Sequence, residues 1–189
     1  MKNTILFDFF GVISGEIAPV WLAKHFPEDE AASLKSKIAG KADSGDVTIE
    51  EMFAEVSAVS NIPVDIVRKE WFELAIINEE LVDFIKTLKG KYNLYLLSNA
   101  ISDFIRPILK ENNLEELFDK IYISSEIRLV KPSKEFFDYC LKDSNINPKD
   151  AIFIDDNISN VNSAIAAGID SMLYKNNQEF FEDFAKYLK

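Results

Sequence analysis

The 189 residues include one cysteine, Cys140, and one histidine, His25. A single thiol excludes an internal disulfide. Its place in the helical pattern Phe136-Phe137-Asp138-Tyr139-Cys140-Leu141 makes it a core residue rather than a nucleophile. A Ser-His-Asp triad or a histidine-rich zinc centre would have to use His25. That residue lies in Trp21-Leu22-Ala23-Lys24-His25-Phe26, a helical stretch where no partner for it is evident. Basic residues are also scarce, 21 against 32 acidic ones, and a net charge of −11 argues against nucleic acid and anionic membranes as partners. No apolar run is long enough to span a bilayer and no secretory leader is visible, so a cytoplasmic protein is expected. Repeats and low-complexity stretches are absent too. Chemistry is left to carboxylates, lysine, serine and a hard cation held by oxygen.

With 48% apolar residues the chain can fill a sizeable core. Four short apolar runs each lead to a residue able to handle a phosphoryl group. Asn3-Thr4-Ile5-Leu6-Phe7 ends at Asp8, and Asn93-Leu94-Tyr95-Leu96-Leu97 ends at Ser98. Ile121-Tyr122-Ile123 precedes Lys131, and Ala151-Ile152-Phe153-Ile154 ends at Asp155-Asp156. Continuous apolar runs alternating with helical patterns predict buried strands of a doubly wound parallel α/β sheet. Ligands of such sheets gather beyond the carboxyl ends of the strands, where these four groups would converge.

The stretch after the first strand, to about residue 90, carries only helical patterns. A capping box at Thr48 and Glu51 opens one helix. Pro63 opens another, with Val64, Val67, Trp71 and Leu74 at helical spacing, and a further helix begins at Glu79. Gly40 to Gly45 reads as a turn-rich loop. Lys41, Arg68 and Lys69 read as a solvated face. Beyond Ser98, helices are expected from Asp103 to Asn112, from Ser133, through Val161 and Ala164, and from Gln178 to Leu188. Strands are expected at Lys120 to Ser124 and Ser171 to Tyr174. The expected organisation is an α/β core of 1–13 and 79–189, with 14–78 an all-helical cap above the strand ends.

Taken singly, Asp8 could be a turn residue, Ser98-Asn99 and Asp155-Asp156 helix caps, and Lys131-Pro132 a loop. Taken in order, Phe7-Asp8-Phe9-Phe10-Gly11-Val12, Leu97-Ser98-Asn99, Val130-Lys131-Pro132 and Phe153-Ile154-Asp155-Asp156-Asn157 resemble the haloacid dehalogenase-like (HAD) hydrolase superfamily over nearly the whole chain. The resemblance is nearest to the branch of sugar-1-phosphate phosphatases and the amino-terminal phosphatase domains of soluble epoxide hydrolases. It implies a Rossmann-like core and a Mg²⁺-dependent phosphatase of small phosphorylated metabolites. Asp8 would be the nucleophile that forms an aspartyl-phosphate. Ser98, backbone N–H groups near Asn99, and Lys131 would bind the phosphoryl oxygens. Asp8, Asp156 and the Phe10 carbonyl would ligate Mg²⁺, with Asp155 acting through a water. Asn160, one turn after Asp156, would fix that carboxylate or a water from behind.

One position departs from the family pattern. Phosphatases of this superfamily usually carry an acid/base aspartate two residues after the nucleophile, and here that residue is Phe10. General acid catalysis is worth ~10²–10⁴-fold, so slow turnover of poor alkoxide leaving groups is expected. The alternatives are a non-catalytic binding protein on the same scaffold, and a 2-haloacid dehalogenase, whose halide needs no proton. The Asp155-Asp156 pair argues against the dehalogenase, since that branch uses no cation.

Overall fold

Five short strands pair side by side in a computed structural model that describes residues 2–187. The chain begins with β1 (Thr4–Phe7), followed by four helices: α1 (Ala18–His25), α2 (Glu28–Asp43), α3 (Ile49–Ser60) and α4 (Val64–Glu73). Then come α5 (Glu79–Leu88), β2 (Asn93–Ser98), α6 (Ser102–Glu111), β3 (Lys120–Ile123) and the one-turn α7 (Ser124–Ile127). The chain continues through α8 (Lys134–Asp143), β4 (Ala151–Asp155), α9 (Ile158–Ala166), β5 (Asp170–Leu173) and α10 (Asn177–Phe184). All strand pairs are parallel, in the order β3-β2-β1-β4-β5. This is the doubly wound parallel α/β fold expected from the sequence.

Because successive strand residues face opposite sides, β1 to β4 each feed two cores. Ile5 and Phe7 of β1 join Leu96, Ile152 and Ile154 on one face. Leu6 joins Leu97, Phe153, Phe136 and Phe137 on the other. Both faces are covered by helices, which is why the strands read as unbroken apolar runs rather than alternating ones. Cys140 lies buried in the second core, as its helical context suggested.

The helices between β1 and α5 do not form a core of their own. Trp21, Phe53, Val67 and Trp71 belong to the same apolar cluster as Ile5 and Phe7. The Thr48–Glu51 capping box forms in both directions at the start of α3, an arrangement worth about 1 kcal/mol. Lys41, Arg68 and Lys69 are paired at the surface with Glu55, Glu50 and Glu73, as a solvated face requires.

The structure corrects the sequence reading at several points. Gly40 is not in a loop; α2 runs through it to Asp43, and the turn is confined to Ser44 and Gly45. One glycine costs a helix about 1 kcal/mol, which burial of Ala31, Ile38 and Ala42 on that helix outweighs. His25 has a partner: Glu70 of α4 accepts from Trp21 Nε1 at 2.6 Å and Lys24 Nζ at 2.8 Å, and lies 3.1 Å from His25 Nε2. Those hydrogen bonds, led by that of Lys24, hold the Glu70 carboxyl down at about 2. The pairing is between helices 45 residues apart in the chain and so invisible in sequence. The last helix ends at Phe184 and passes into a 3-10 turn, Ala185–Tyr187; Leu188 lies outside the described residues.

Candidate active site

The strand order reverses at β1. The chain steps from β1 outward to β2 and β3, then returns to β1's other side with β4 and β5. The loops leaving β1 and β4 therefore diverge and leave a crevice at their carboxyl ends. Phe7 pairs with Ile154, so Asp8 comes level with Asp155, and the Asp8 amide donates to the Ile154 carbonyl at 2.9 Å. Lys131 reaches this point from the segment after α7. Its Nζ lies 2.8 Å from Asp8 Oδ1 and 2.8 Å from Asp155 Oδ2, and donates to the Leu97 carbonyl at 2.8 Å. All three side chains are buried.

Asp155 is held by several donors. Besides Lys131, it accepts from the Asn157 amide at 2.8 Å and from Asn160 Nδ2 at 3.0 Å. The sequence suggested that Asn160 would fix the Asp156 carboxylate or a water; it instead donates to Asp155. The end of β4 turns the Asp155 side chain beneath the first turn of α9, within reach of Asn160. Asp156 has no ion pair among the described residues and lines the cavity above. Gly11 allows this placement. It has φ +81°, and a Cβ there would overlap the Asp156 carboxylate. Gly11→Ala is expected to displace Asp156 and raise the half-saturating Mg²⁺ concentration at least ~10-fold, the scale seen when groups that orient metal ligands are lost. A Mg²⁺ titration of activity checks this, and an unchanged titration would contradict it.

The electrostatics leave room for a cation. One oxygen from each of Asp8, Asp155 and Asp156 lies within 4.8 Å of the others, and only one ammonium enters the group. Burial drives the Asp8 carboxyl well above its ordinary range; Lys131 opposes this and Asp155 adds to it. Burial also pushes Asp156 up to about 6, with Glu16 and Asp155 adding and Lys131 opposing. Burial works against the Lys131 ammonium, but Asp8 and Asp155 outweigh it and its pKa is raised. Three carboxylates around one ammonium are under-compensated, a set of hard oxygens that suits a divalent cation. Phe10 pairs with Ser14 through the Phe9 carbonyl and the Gly11 amide, which leaves the Phe10 carbonyl out of that pairing.

The remaining expected residues divide. The Ser98 hydroxyl is fully buried and has no hydrogen-bond partner among the described residues. An orphaned hydroxyl costs about 1–3 kcal/mol, and Ser98 is not among the residues that line the cavity over Asp8. The Asn99 side chain clamps the Lys131 backbone: it donates to the Lys131 carbonyl at 2.8 Å and accepts from the Lys131 amide at 2.9 Å. This clamp holds Lys131 in place.

Asp8, Lys131 and Asp156 line the floor of a cavity of about 250 Å³, roofed by α1, α2, α3 and α4. Phe10, Phe104, Met52 and Trp71 form an apolar wall. Glu16, Lys35 and Asp43 bring charge from the roof, and sequence reasoning assigned none of them a place in the site. The only signal was their position in the helical insert, since no motif marks them.

The sequence profile of the haloacid dehalogenase-like hydrolase family matches residues 27–174, and the chain belongs to that family. The match begins after β1, so Asp8 rests on its position in the fold. A D-ribitol-5-phosphate phosphatase from Bacteroides thetaiotaomicron is 29% identical over 113 residues, 57% of this chain and 55% of that protein. A drimenol cyclase from Aspergillus calidoustus is 29% identical over 153 residues, 77% of this chain and 29% of that protein. The chain thus spans less than two thirds of either of these relatives. A HAD family enzyme from Bacteroides thetaiotaomicron, solved with magnesium and inorganic phosphate, superimposes with a TM-score of 0.78 at 25% identity, over 93% of this chain and 95% of that one.

Proposed function

We propose that this haloacid dehalogenase-like hydrolase is a Mg²⁺-dependent phosphatase of a small phosphorylated metabolite, such as a sugar phosphate, acting through an aspartyl-phosphate on Asp8. The observation that carries this reading is the buried Lys131 bridge between Asp8 and Asp155, with Asp156 beside it at the floor of the cavity. The phosphatase among the relatives and the solved enzyme with magnesium and phosphate support it.

In this reading Asp8 attacks phosphorus in line with the leaving oxygen, and water later cleaves the acyl-phosphate. Lys131 neutralises charge on the transferring group while holding Asp8 in position. The Ser98 hydroxyl and the backbone at Asn99 donate to phosphoryl oxygens. Asp8, Asp156 and the Phe10 carbonyl would hold Mg²⁺, with Asp155 behind a water. Bound there, the cation would keep Asp8 ionised and offset charge on the phosphoryl oxygens. Residues 14–78 serve as the cap. The cavity of about 250 Å³ lies below the ~300–1,000 Å³ of drug-sized ligand sites, so the substrate is small.

The test is a panel of phosphorylated metabolites and 2-haloacids assayed with and without Mg²⁺. Phosphate release that requires Mg²⁺ is expected. Halide release would make the chain a dehalogenase, and no release would favour a binding protein on this scaffold.

A further inference from the structure

Phe10 cannot move a proton, and its surroundings offer no substitute. Its ring stacks on Phe104 at 6.1 Å and meets Phe9 edge-on at 4.9 Å. Any proton for the leaving group must come from across the cavity. Two roof carboxylates face that space, Glu16 from the segment before α1 and Asp43 from the last residue of α2. Glu16 acts electrostatically on Asp156, which places it toward the expected cation ligands. Asp43 has a different setting. Its carboxyl makes no hydrogen bond among the described residues, and is influenced through space by Lys131 below, Lys35 on its own helix, and Glu16. It is thus an unpaired carboxyl in the cavity wall, within electrostatic reach of the lysine that would grip the phosphoryl group.

We propose that Asp43, carried on the helical insert, is the general acid and base of this phosphatase, in the role that Phe10 cannot fill. The proposal rests on the phosphatase reading given above. In the first half-reaction a bond forms between an Asp8 oxygen and phosphorus, the bond from phosphorus to the leaving oxygen breaks, and the Asp43 proton passes to that oxygen. In the second, water attacks phosphorus, its proton passes to the Asp43 carboxylate, and the bond from phosphorus to Asp8 breaks. Phosphate leaves, and Asp8 as carboxylate and Asp43 as acid are restored. Water enters from the side the leaving group vacated, opposite Asp8, so one residue on that side serves both steps. Burial pushes the Asp43 carboxyl up to about 6, against the pull of Lys131 and Lys35, close to the pH at which a shared acid and base works best. A proton donor on the insert would also couple chemistry to its seating over the site.

The experiment uses the full chain with Mg²⁺ and a series of phosphate monoesters, from nitrophenyl to primary alkyl. Wild type, Asp43→Asn and Glu16→Gln are compared by kcat/KM, with thermal unfolding as a folding control. Wild-type rates are expected to fall only shallowly as the leaving-group pKa rises. Asp43→Asn should make that fall steep, losing ~10²-fold or more on alkyl esters, the low end for a general acid, and at least ~10-fold less on p-nitrophenyl phosphate. A steep wild-type dependence, an equal loss on every ester, or selective loss in Glu16→Gln in place of Asp43→Asn overturns the assignment. Should Asp43→Asn fail to fold, the wild-type slope and Glu16→Gln still decide. If the wild type releases phosphate but the Asp43 slopes run parallel, only the acid assignment fails. If it releases none from any ester, the phosphatase reading fails and takes the assignment with it.

Discussion

Asp8→Asn is expected to fold as the wild type does and to lose at least ~10⁴-fold in phosphate release, the scale on which removal of a catalytic nucleophile is felt. An amide of the same shape keeps an acceptor for the Phe9 amide, which now donates to Asp8 Oδ1 at 2.7 Å. Its weaker oxygen cannot displace an alkoxide from phosphorus. The variant also removes one of the two carboxylates that hold the Lys131 ammonium. That loss is softened because Asp155 and the Leu97 carbonyl remain as partners. Burst-phase assays with a chromogenic ester, together with thermal unfolding, separate the two effects. Turnover above a trace in the folded variant would show that Asp8 is not the nucleophile.

The second large effect concerns the carboxylate pair, whose members should fail in different ways. Asp156 is free of ion pairs and faces the cavity, so Asp156→Ala is expected to abolish the response to Mg²⁺ while costing little stability. Asp155 is fully buried and accepts from Lys131, Asn160 and the Asn157 amide. Removing one partner of a buried charged pair costs roughly 3–5 kcal/mol, so Asp155→Ala should lower the unfolding midpoint strongly. In the protein that remains folded, its apparent Mg²⁺ affinity should fall less than that of Asp156→Ala. Chemical denaturation and Mg²⁺ titration of both variants provide the check. Equal stabilities, or a greater loss of Mg²⁺ response in Asp155→Ala, would reverse the roles assigned to the two residues.

Much of the fold was legible because its signals are local. A strand buried on both faces must be apolar throughout, so β1, β2 and β4 stand out as unbroken runs. The Thr48–Glu51 box and the proline before α4 mark helix starts within four residues of sequence. The convergence of Asp8, Lys131 and Asp155 was also readable, because parallel strands deliver their carboxyl ends to one edge. The extent of α2 was misread because glycine content near Gly40 is a weaker force than the apolar face that helix buries.

By itself, then, the sequence determined the order along the chain of the chemistry-bearing residues, the helical character of the insert, and the absence of an acid at Phe10. Only the tertiary structure decided which side chains meet across long separations. Asn160 supports Asp155, Asn99 is committed to the Lys131 backbone 32 residues away, and His25 and Trp21 share Glu70. It alone brought Asp43 and Glu16 over the cavity. The physical reason is that a strand or cap is specified by neighbours along the chain. A side chain on a packed helix is aimed by that helix's position on the sheet, and no short-range pattern encodes that position.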